Sequence, residues 1–282
     1  MNRSRFWYWT VLALCLSLAG AGIVSGQEAQ QAQKPYEPQV GQAGKDVVWV
    51  PTSDALVATM LDLAKVTPQD VVLDLGSGDG RTVIAAAKLG ARAYGIEFNP
   101  DMVELSKANA AKAGVSERTT FAKADLFESD FSHATVITMF LLPSINMKLR
   151  PKLLDLKPGT RIVANTFTME DWEADQTVTL SEPDCTSWCT ALLWIVPAKV
   201  QGTWRTAQGE ITLFQQFQKV TGTWASGGVK TGISEGRLTG DQLTFAVGNT
   251  RYTGRVSGDT IQGSVASGGS TNGQWSATRI AQ

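Results

Sequence analysis

Val71-Val72-Leu73-Asp74-Leu75-Gly76-Ser77-Gly78-Asp79-Gly80-Arg81 decides the fold. Its first five residues are an apolar run broken only by Asp74, which suits a strand covered on both faces. Three glycines within five positions follow. They allow backbone torsions that a Cβ forbids and let a ligand approach the main chain. Residues 82–89 then read as a helix stopped by Gly90. Strand, glycine loop and helix in this order cradle a nucleotide.

The pattern repeats outward. A second strand, residues 92–96, ends in Glu97, 23 positions after Asp74. Asn99 and Pro100 cap and open a helix that ends before Gly114. Further strands are expected at residues 120–124, closed by Asp125, at 135–140, and at 160–164 after the Lys157-Pro158-Gly159 turn. Such alternation predicts an α/β fold, a doubly wound sheet with its ligand over the strand ends.

The acids choose the nucleotide. A dinucleotide fingerprint G-x-G-x-x-G needs glycine at position 81, where Arg81 stands. Asp74 would repel a pyrophosphate but suits the ammonium and sulfonium of S-adenosylmethionine (SAM). Glu97 at a strand end suits both ribose hydroxyls, and Asp125 suits the adenine amino group. An NAD-dependent oxidoreductase is therefore disfavoured.

These residues resemble the class I, seven-strand SAM-dependent methyltransferases. Asp74-Leu75-Gly76-Ser77-Gly78-Asp79-Gly80 is similar to their first motif, Glu97 to their second, and Ala124-Asp125-Leu126-Phe127 to their third. Val50-Pro51-Thr52-Ser53, leading into a helix at residues 54–65, narrows the resemblance to the non-SET protein-lysine methyltransferases. In the telomeric-silencing histone type and the mitochondrial ATP-synthase c-subunit and ADP/ATP-carrier types, that segment closes over SAM. Phe140-Leu141-Leu142-Pro143 and Pro158-Gly159-Thr160-Arg161-Ile162-Val163 also look like that branch, and small bacterial relatives of the c-subunit enzymes are the nearest match. The resemblance implies a Rossmann-like seven-strand sheet, with a sixth strand at residues 176–180 and a reversed seventh at 191–196. It implies SAM as cofactor, with Asp74, Gly76, Ser77, Gly78 and Gly80 at its methionine part, Glu97 at ribose, Asp125 at adenine, and Thr52 and Ser53 closing the pocket. Phe140, Leu141 and Leu142 either line an acceptor channel or pack in the core. No general base stands out. The lack of Asn-Pro-Pro-Tyr after the fourth strand argues against adenine or glutamine amino groups as acceptor.

Both ends of the chain differ from this core. Residues 198–282 hold 15 of the 27 Gly and none of the 10 Pro. Gly202-Thr203-Trp204 recurs as Gly222-Thr223-Trp224 and loosely as Gly273-Gln274-Trp275; Gly236-Arg237-Leu238-Thr239-Gly240-Asp241 recurs as Gly254-Arg255-Val256-Ser257-Gly258-Asp259. Short strands at 211–214, 242–245 and 260–262 with glycine turns predict a small all-β barrel or sandwich, with tryptophans plugging its core. At the other end, Asn2-Arg3-Ser4-Arg5 precedes an apolar run at residues 6–19, and Val24 and Gly26 suit a cleavage site. The expected organisation is an export signal at 1–26, a flexible segment at 27–46, a methyltransferase domain at 47–197 and a glycine-rich all-β domain at 198–282. Export implies a periplasmic or secreted protein; an uncleaved signal would make it membrane-anchored.

Charge and chemistry narrow the partners. Twenty-five Lys+Arg against 26 Asp+Glu exclude nucleic-acid binding through bulk charge. One His and three Cys leave no metal site. Cys185 and Cys189 bridge if they lie in a loop, but not along a helix, and His133 reads as a surface residue. The expected activity is methyl transfer from SAM to a lysine of an exported or membrane protein, with the all-β domain contacting substrate or envelope. The alternatives are a small-molecule methyltransferase and a non-enzymatic SAM or nucleoside binder.

Overall fold

The computed structural model describes residues 36–268 and 270–280. The expected export signal and residues 27–35 of the expected flexible segment lie outside the described residues. No helix among the described residues is long and apolar enough to cross a membrane.

A seven-stranded sheet is built from β1 (Val71–Leu75), β2 (Arg92–Glu97), β3 (Thr119–Lys123), β4 (Val136–Met139), β5 (Arg161–Asn165), β6 (Gln176–Thr179) and β7 (Thr190–Ile195). Their order is β3-β2-β1-β4-β5-β7-β6. β7 runs antiparallel to both β5 and β6, so it is the reversed strand. Four helices, α1 (Asp54–Leu63), α2 (Arg81–Lys88), α3 (Pro100–Lys112) and α4 (Pro143–Leu154), cover the sheet. Val72, Ala93, Val136 and Val163 pack with Leu56, Val83 and Val103 of the first three helices. Leu73, Ile137 and Ile162, the sequence neighbours of Val72, Val136 and Val163, pack with Ile145, Leu149 and Leu153 of α4. That alternation within apolar strands is why both faces are dry, and it gives the doubly wound architecture. The chain reverses its winding between β1 and β4, which opens a crevice at their carboxyl ends.

The glycine-rich end is a closed up-and-down barrel of eight antiparallel strands. These are β8 (Gly202–Thr206), β9 (Gly209–Gln216), β10 (Lys219–Ser226), β11 (Val229–Thr239), β12 (Gln242–Val247), β13 (Thr250–Ser257), β14 (Thr260–Ser267) and β15 (Ser270–Arg279). Pairing of β15 with β8 closes it and leaves no free edge. Of the two all-β expectations, barrel and sandwich, the barrel is found. Trp204, Trp224 and Trp275, the repeated tryptophans, are buried in its interior with Leu243 and Phe245.

The barrel packs on the α/β core through its β9–β10 turn and the far end of β11. Phe217, between β9 and β10, stacks on buried Trp172 with ring centroids 5.8 Å apart. Buried Gln218 donates to the Glu173 carbonyl at 2.8 Å, and Arg237 pairs with Asp175 at 2.5 Å.

Candidate active site

The crevice at the switch point is a cavity of about 600 Å³. Thr52, Asp74, Gly76, Ser77, Gly78, Glu97 and Asp125 all line it. Ser53 and Gly80, grouped with them from the sequence, do not. The Ser53 hydroxyl caps α1 by accepting from the Leu56 N–H at 3.2 Å. Gly80 instead forms the left-handed entry to α2, wedged where a Cβ would lie 2.9 Å from Phe121 and Ser106.

The three acids sit at the ends of β1, β2 and just beyond β3. Asp74 is buried, and the Thr138 hydroxyl on β4 donates to it at 2.6 Å. Burial pushes its carboxyl up to about 7; the Thr138 bond opposes this, and the negative charges of Asp79 and Glu97 add to it. None of the ion pairs among the described residues involves Asp74. Glu97 takes the Gly78 N–H at 3.0 Å and the Asn99 N–H at 2.8 Å, fixing the glycine loop to the next helix start. Asp125 pairs with Lys45, and this bond, helped by the Phe127 N–H, holds its carboxyl low despite some desolvation.

The loop itself is not a phosphate cradle. Gly76 and Ser77 N–H both donate to the Ile96 carbonyl, Gly78 N–H to Glu97, and Gly80 N–H to Ser77. A pyrophosphate would find these four donors engaged and three carboxylates around it. A cationic ligand finds the reverse: a buried acid on the cavity wall that no cation of the described residues pairs. These residues fit the aminoacyl and adenosyl parts of SAM.

A strap closes this half of the cavity. Gly41 and Gln42 pair with Trp49 across a short turn, and the Trp49 ring lies where a Cβ on Gly78 would come within 2.6 Å of its nitrogen. Arg81 locks the strap down. Its guanidinium binds Asp79 at 2.6 Å and donates to the Thr52 carbonyl at 2.8 Å, while Thr52 Oγ1 accepts from buried Asn165 at 3.1 Å.

The other half is aromatic. Phe140 follows β4, Phe167 follows β5, and Trp188 precedes β7; all three line the cavity. Phe140 and Phe167 stack at 5.8 Å. Leu141 is buried in the core and Leu142 is exposed at the rim, so the Phe140-Leu141-Leu142 segment serves both packing and lining. Because the sheet order is β3-β2-β1-β4-β5-β7, the three acids fall on one side of the switch point, with Trp49 and Phe98 beside them, and the Phe140, Phe167 and Trp188 trio falls on the other. Sequence reasoning did not find Lys45, Trp49, Phe167 or Trp188. Only the aromatic character of Trp49, just before the Val50-Pro51-Thr52-Ser53 segment, offered a signal. Cys185 and Cys189 are disulfide-bonded in the β6–β7 loop, and exposed His133 meets Tyr94 edge-on at 5.5 Å.

Residues 74–176 match the ANTKMT methyltransferase domain. The protein-lysine N-methyltransferase of Saccharolobus islandicus is 43% identical over 139 residues, covering 48% of this chain and 86% of that protein. The Xenopus laevis lysine N-methyltransferase named for the c-subunit of ATP synthase is 36% identical over 128 residues, 45% of this chain and 56% of that one. Thus the match takes in most of the first relative but only about half of the second. Among solved structures, an RNA methyltransferase from Salinibacter ruber in complex with S-adenosyl-L-homocysteine is 49% identical, covers 54% of this chain and 96% of that chain, and has a TM-score of 0.50. A crevice built for a cation rather than a phosphate, and a family match that spans Asp74, Glu97 and Asp125, lead to one conclusion: the chain belongs to the seven-strand SAM-dependent methyltransferases, in the family of the ANTKMT and protein-lysine N-methyltransferases, and SAM is its cofactor.

Proposed function

We propose that the chain transfers the methyl group of SAM to a lysine amine of a protein. The observation that carries this reading is that the three acids line the cavity at β1–β3, while an aromatic trio, Phe140, Phe167 and Trp188, lines it at β4, β5 and β7. Bound on the acid side, SAM supplies an electrophilic methyl group. Asp74 answers its positive end, Glu97 and the glycine loop shape the ribose site, and the strap excludes water. Asp125 reaches adenine with Lys45 beside it. On the aromatic side, Phe140, Phe167 and Leu142 offer an apolar sleeve for an aliphatic stem. A lysine entering it is desolvated, which lowers its pKa and frees the nitrogen lone pair for attack. Much of the catalysis is then positioning.

A protein acceptor is supported by the lysine methyltransferases among the relatives. An RNA acceptor is disfavoured by charge. Lys45 and Arg81, the cations lining the cavity, are each paired with carboxylates, and the chain as a whole has no excess of basic residues.

We further propose that the protein works outside the cytosol, on exported or membrane targets. The basic start and apolar run of residues 2–19 support export, and a disulfide at Cys185–Cys189 fits an oxidising compartment. Residues 198–282, with eight Lys+Arg against four Asp+Glu, are the proposed contact toward envelope or substrate.

The test is incubation with methyl-labelled SAM and a membrane extract, followed by total hydrolysis. Label in methyllysine is expected. Label in a nuclease-sensitive or small-molecule fraction would replace the acceptor class, and no transfer at all would contradict the reading. Cell fractionation decides the compartment, with a cytosolic pool contradicting export.

A further inference from the structure

The loop joining β6 to β7 is lightly held. Its backbone bonds stay within the hairpin: the Leu180 N–H donates to Cys189, and the N–H groups of Asp184 and Cys185 both donate to Ser181. Inside it, Cys185 and Cys189 are bridged with Cα atoms 5.7 Å apart. Trp188 lies within the bridged segment at φ 56°. A bulky residue keeps that left-handed conformation only where its surroundings impose it. Burial does not, because Trp188 is 44% exposed.

Its ring nevertheless has fixed company. Trp188 stands 5.3 Å from Phe167 and 6.1 Å from Phe140, tilted by 47° and 56° to them. Two of the three rings are therefore mounted on the ends of sheet strands, and the third hangs on the disulfide-closed loop. The cation–ring contacts of the described residues use Phe98, Phe127, Phe131, Phe217 and Trp204, so no described lysine or arginine sits on the trio. Aromatic faces attract ammonium groups, more strongly when water is excluded. Exposed Glu182 and Asp184 put negative charge on the same loop.

We propose that Trp188 is a specificity-determining residue for the acceptor, the half-exposed aromatic wall that reads the amine in its protonated form as it enters, before the Phe140 and Phe167 sleeve desolvates it, and that the Cys185–Cys189 disulfide is what positions it. Acceptor recognition then depends on the oxidation state of the loop, while donor binding does not. This rests on the reading of the aromatic side as the acceptor side. Reduction by a dithiol passes two electrons and two protons to the bridge, leaving two thiols and the reagent's own cyclic disulfide, and it frees the loop that carries the ring.

The test uses the full chain labelled with 5-fluorotryptophan, with the Trp188 fluorine resonance identified by its loss in Trp188→Phe. With S-adenosylhomocysteine saturating, tetramethylammonium is titrated in, and neopentyl alcohol serves as the uncharged isostere. The Trp188 resonance is expected to move with the cation and not with the alcohol. After dithiol treatment and alkylation, or in Cys185→Ser/Cys189→Ser, the cation concentration needed should rise about tenfold, with S-adenosylhomocysteine affinity kept within about twofold of the oxidised protein, as expected for separate sites. A resonance indifferent to the cation, an equal response to the alcohol, or a response untouched by reduction would overturn the proposal. Failure of S-adenosylhomocysteine to bind would overturn the site reading and this inference together; tight binding with a silent Trp188 would overturn this inference alone.

Discussion

Thr138 on β4 donates its hydroxyl to the carboxylate of Asp74 on β1 at 2.6 Å, and the two residues are direct neighbours in the sheet. One neutral hydroxyl is little support for a buried charge. The carboxyl titrates near 7 in the fold, against 3.8 for an ordinary aspartate. Between those values the folded protein holds the proton and the unfolded chain releases it. The resulting stability is complete below about 4 and is lost as pH rises through about 7. The fold therefore carries a destabilising charge at neutral pH, at the spot where a cationic ligand would relieve it.

Asp74→Asn is expected to stabilise the ligand-free protein at pH 8 by about 2–4 kcal/mol and to change little at pH 5. Urea denaturation at the two pH values checks this. An equal effect at both would show that the carboxyl does not titrate in this window.

Gly78→Ala tests the lid. Its backbone is left-handed, and the new methyl would lie 2.6 Å from the Trp49 nitrogen. Displacing Trp49 should weaken S-adenosylhomocysteine binding about tenfold and lower stability by roughly 1–2 kcal/mol. Calorimetry with unchanged affinity would remove the strap from the site.

Arg81→Leu removes the tie between the glycine loop and the strap, since the guanidinium joins Asp79 to the Thr52 carbonyl. Ligand dissociation, followed by stopped-flow tryptophan fluorescence, should speed up about tenfold. The same rate as the parent protein would contradict a clamp.

Asp70 and Arg161 form a pair away from the cavity, with Thr135 and Thr67 also donating to Asp70. Burial alone would push the Asp70 carboxyl up; these partners bring it below its usual value. Its stabilisation is present above pH 3.8 and fades as pH falls through the lowered value. Asp70→Ala should cost about 2–3 kcal/mol at pH 7 while leaving ligand affinity unchanged. Loss of affinity would mean the pair supports the site after all.

The strand, glycine loop and acids were legible because each is a local pattern: an apolar run, a left-handed turn, a carboxylate at a strand end. Register then brings Asp74, Glu97 and Asp125 to one crevice without further information. Ser53, expected to close the pocket, caps α1 instead, because it immediately precedes that helix. The Lys45–Asp125 pair spans 80 residues, and Arg81 reaching Thr52 spans 29; neither leaves a periodic trace. Trp188 joins Phe140 and Phe167 only because β7 is inserted beside β5. Barrel and sandwich stayed unresolved for a similar reason. The glycine turns and repeated tryptophans are common to both, and closure depends on β15 meeting β8 across the length of the domain.

The central claim is a buried carboxyl that gives up its proton to receive the positive end of SAM. Titration calorimetry at pH 6 and pH 8, each in two buffers of different ionisation enthalpy, measures it directly. The expected result is binding at both, about tenfold weaker at pH 6 and accompanied there by release of about one proton, with the pH dependence abolished in Asp74→Asn. No binding at millimolar SAM, or an affinity that ignores pH with no proton released, would contradict it.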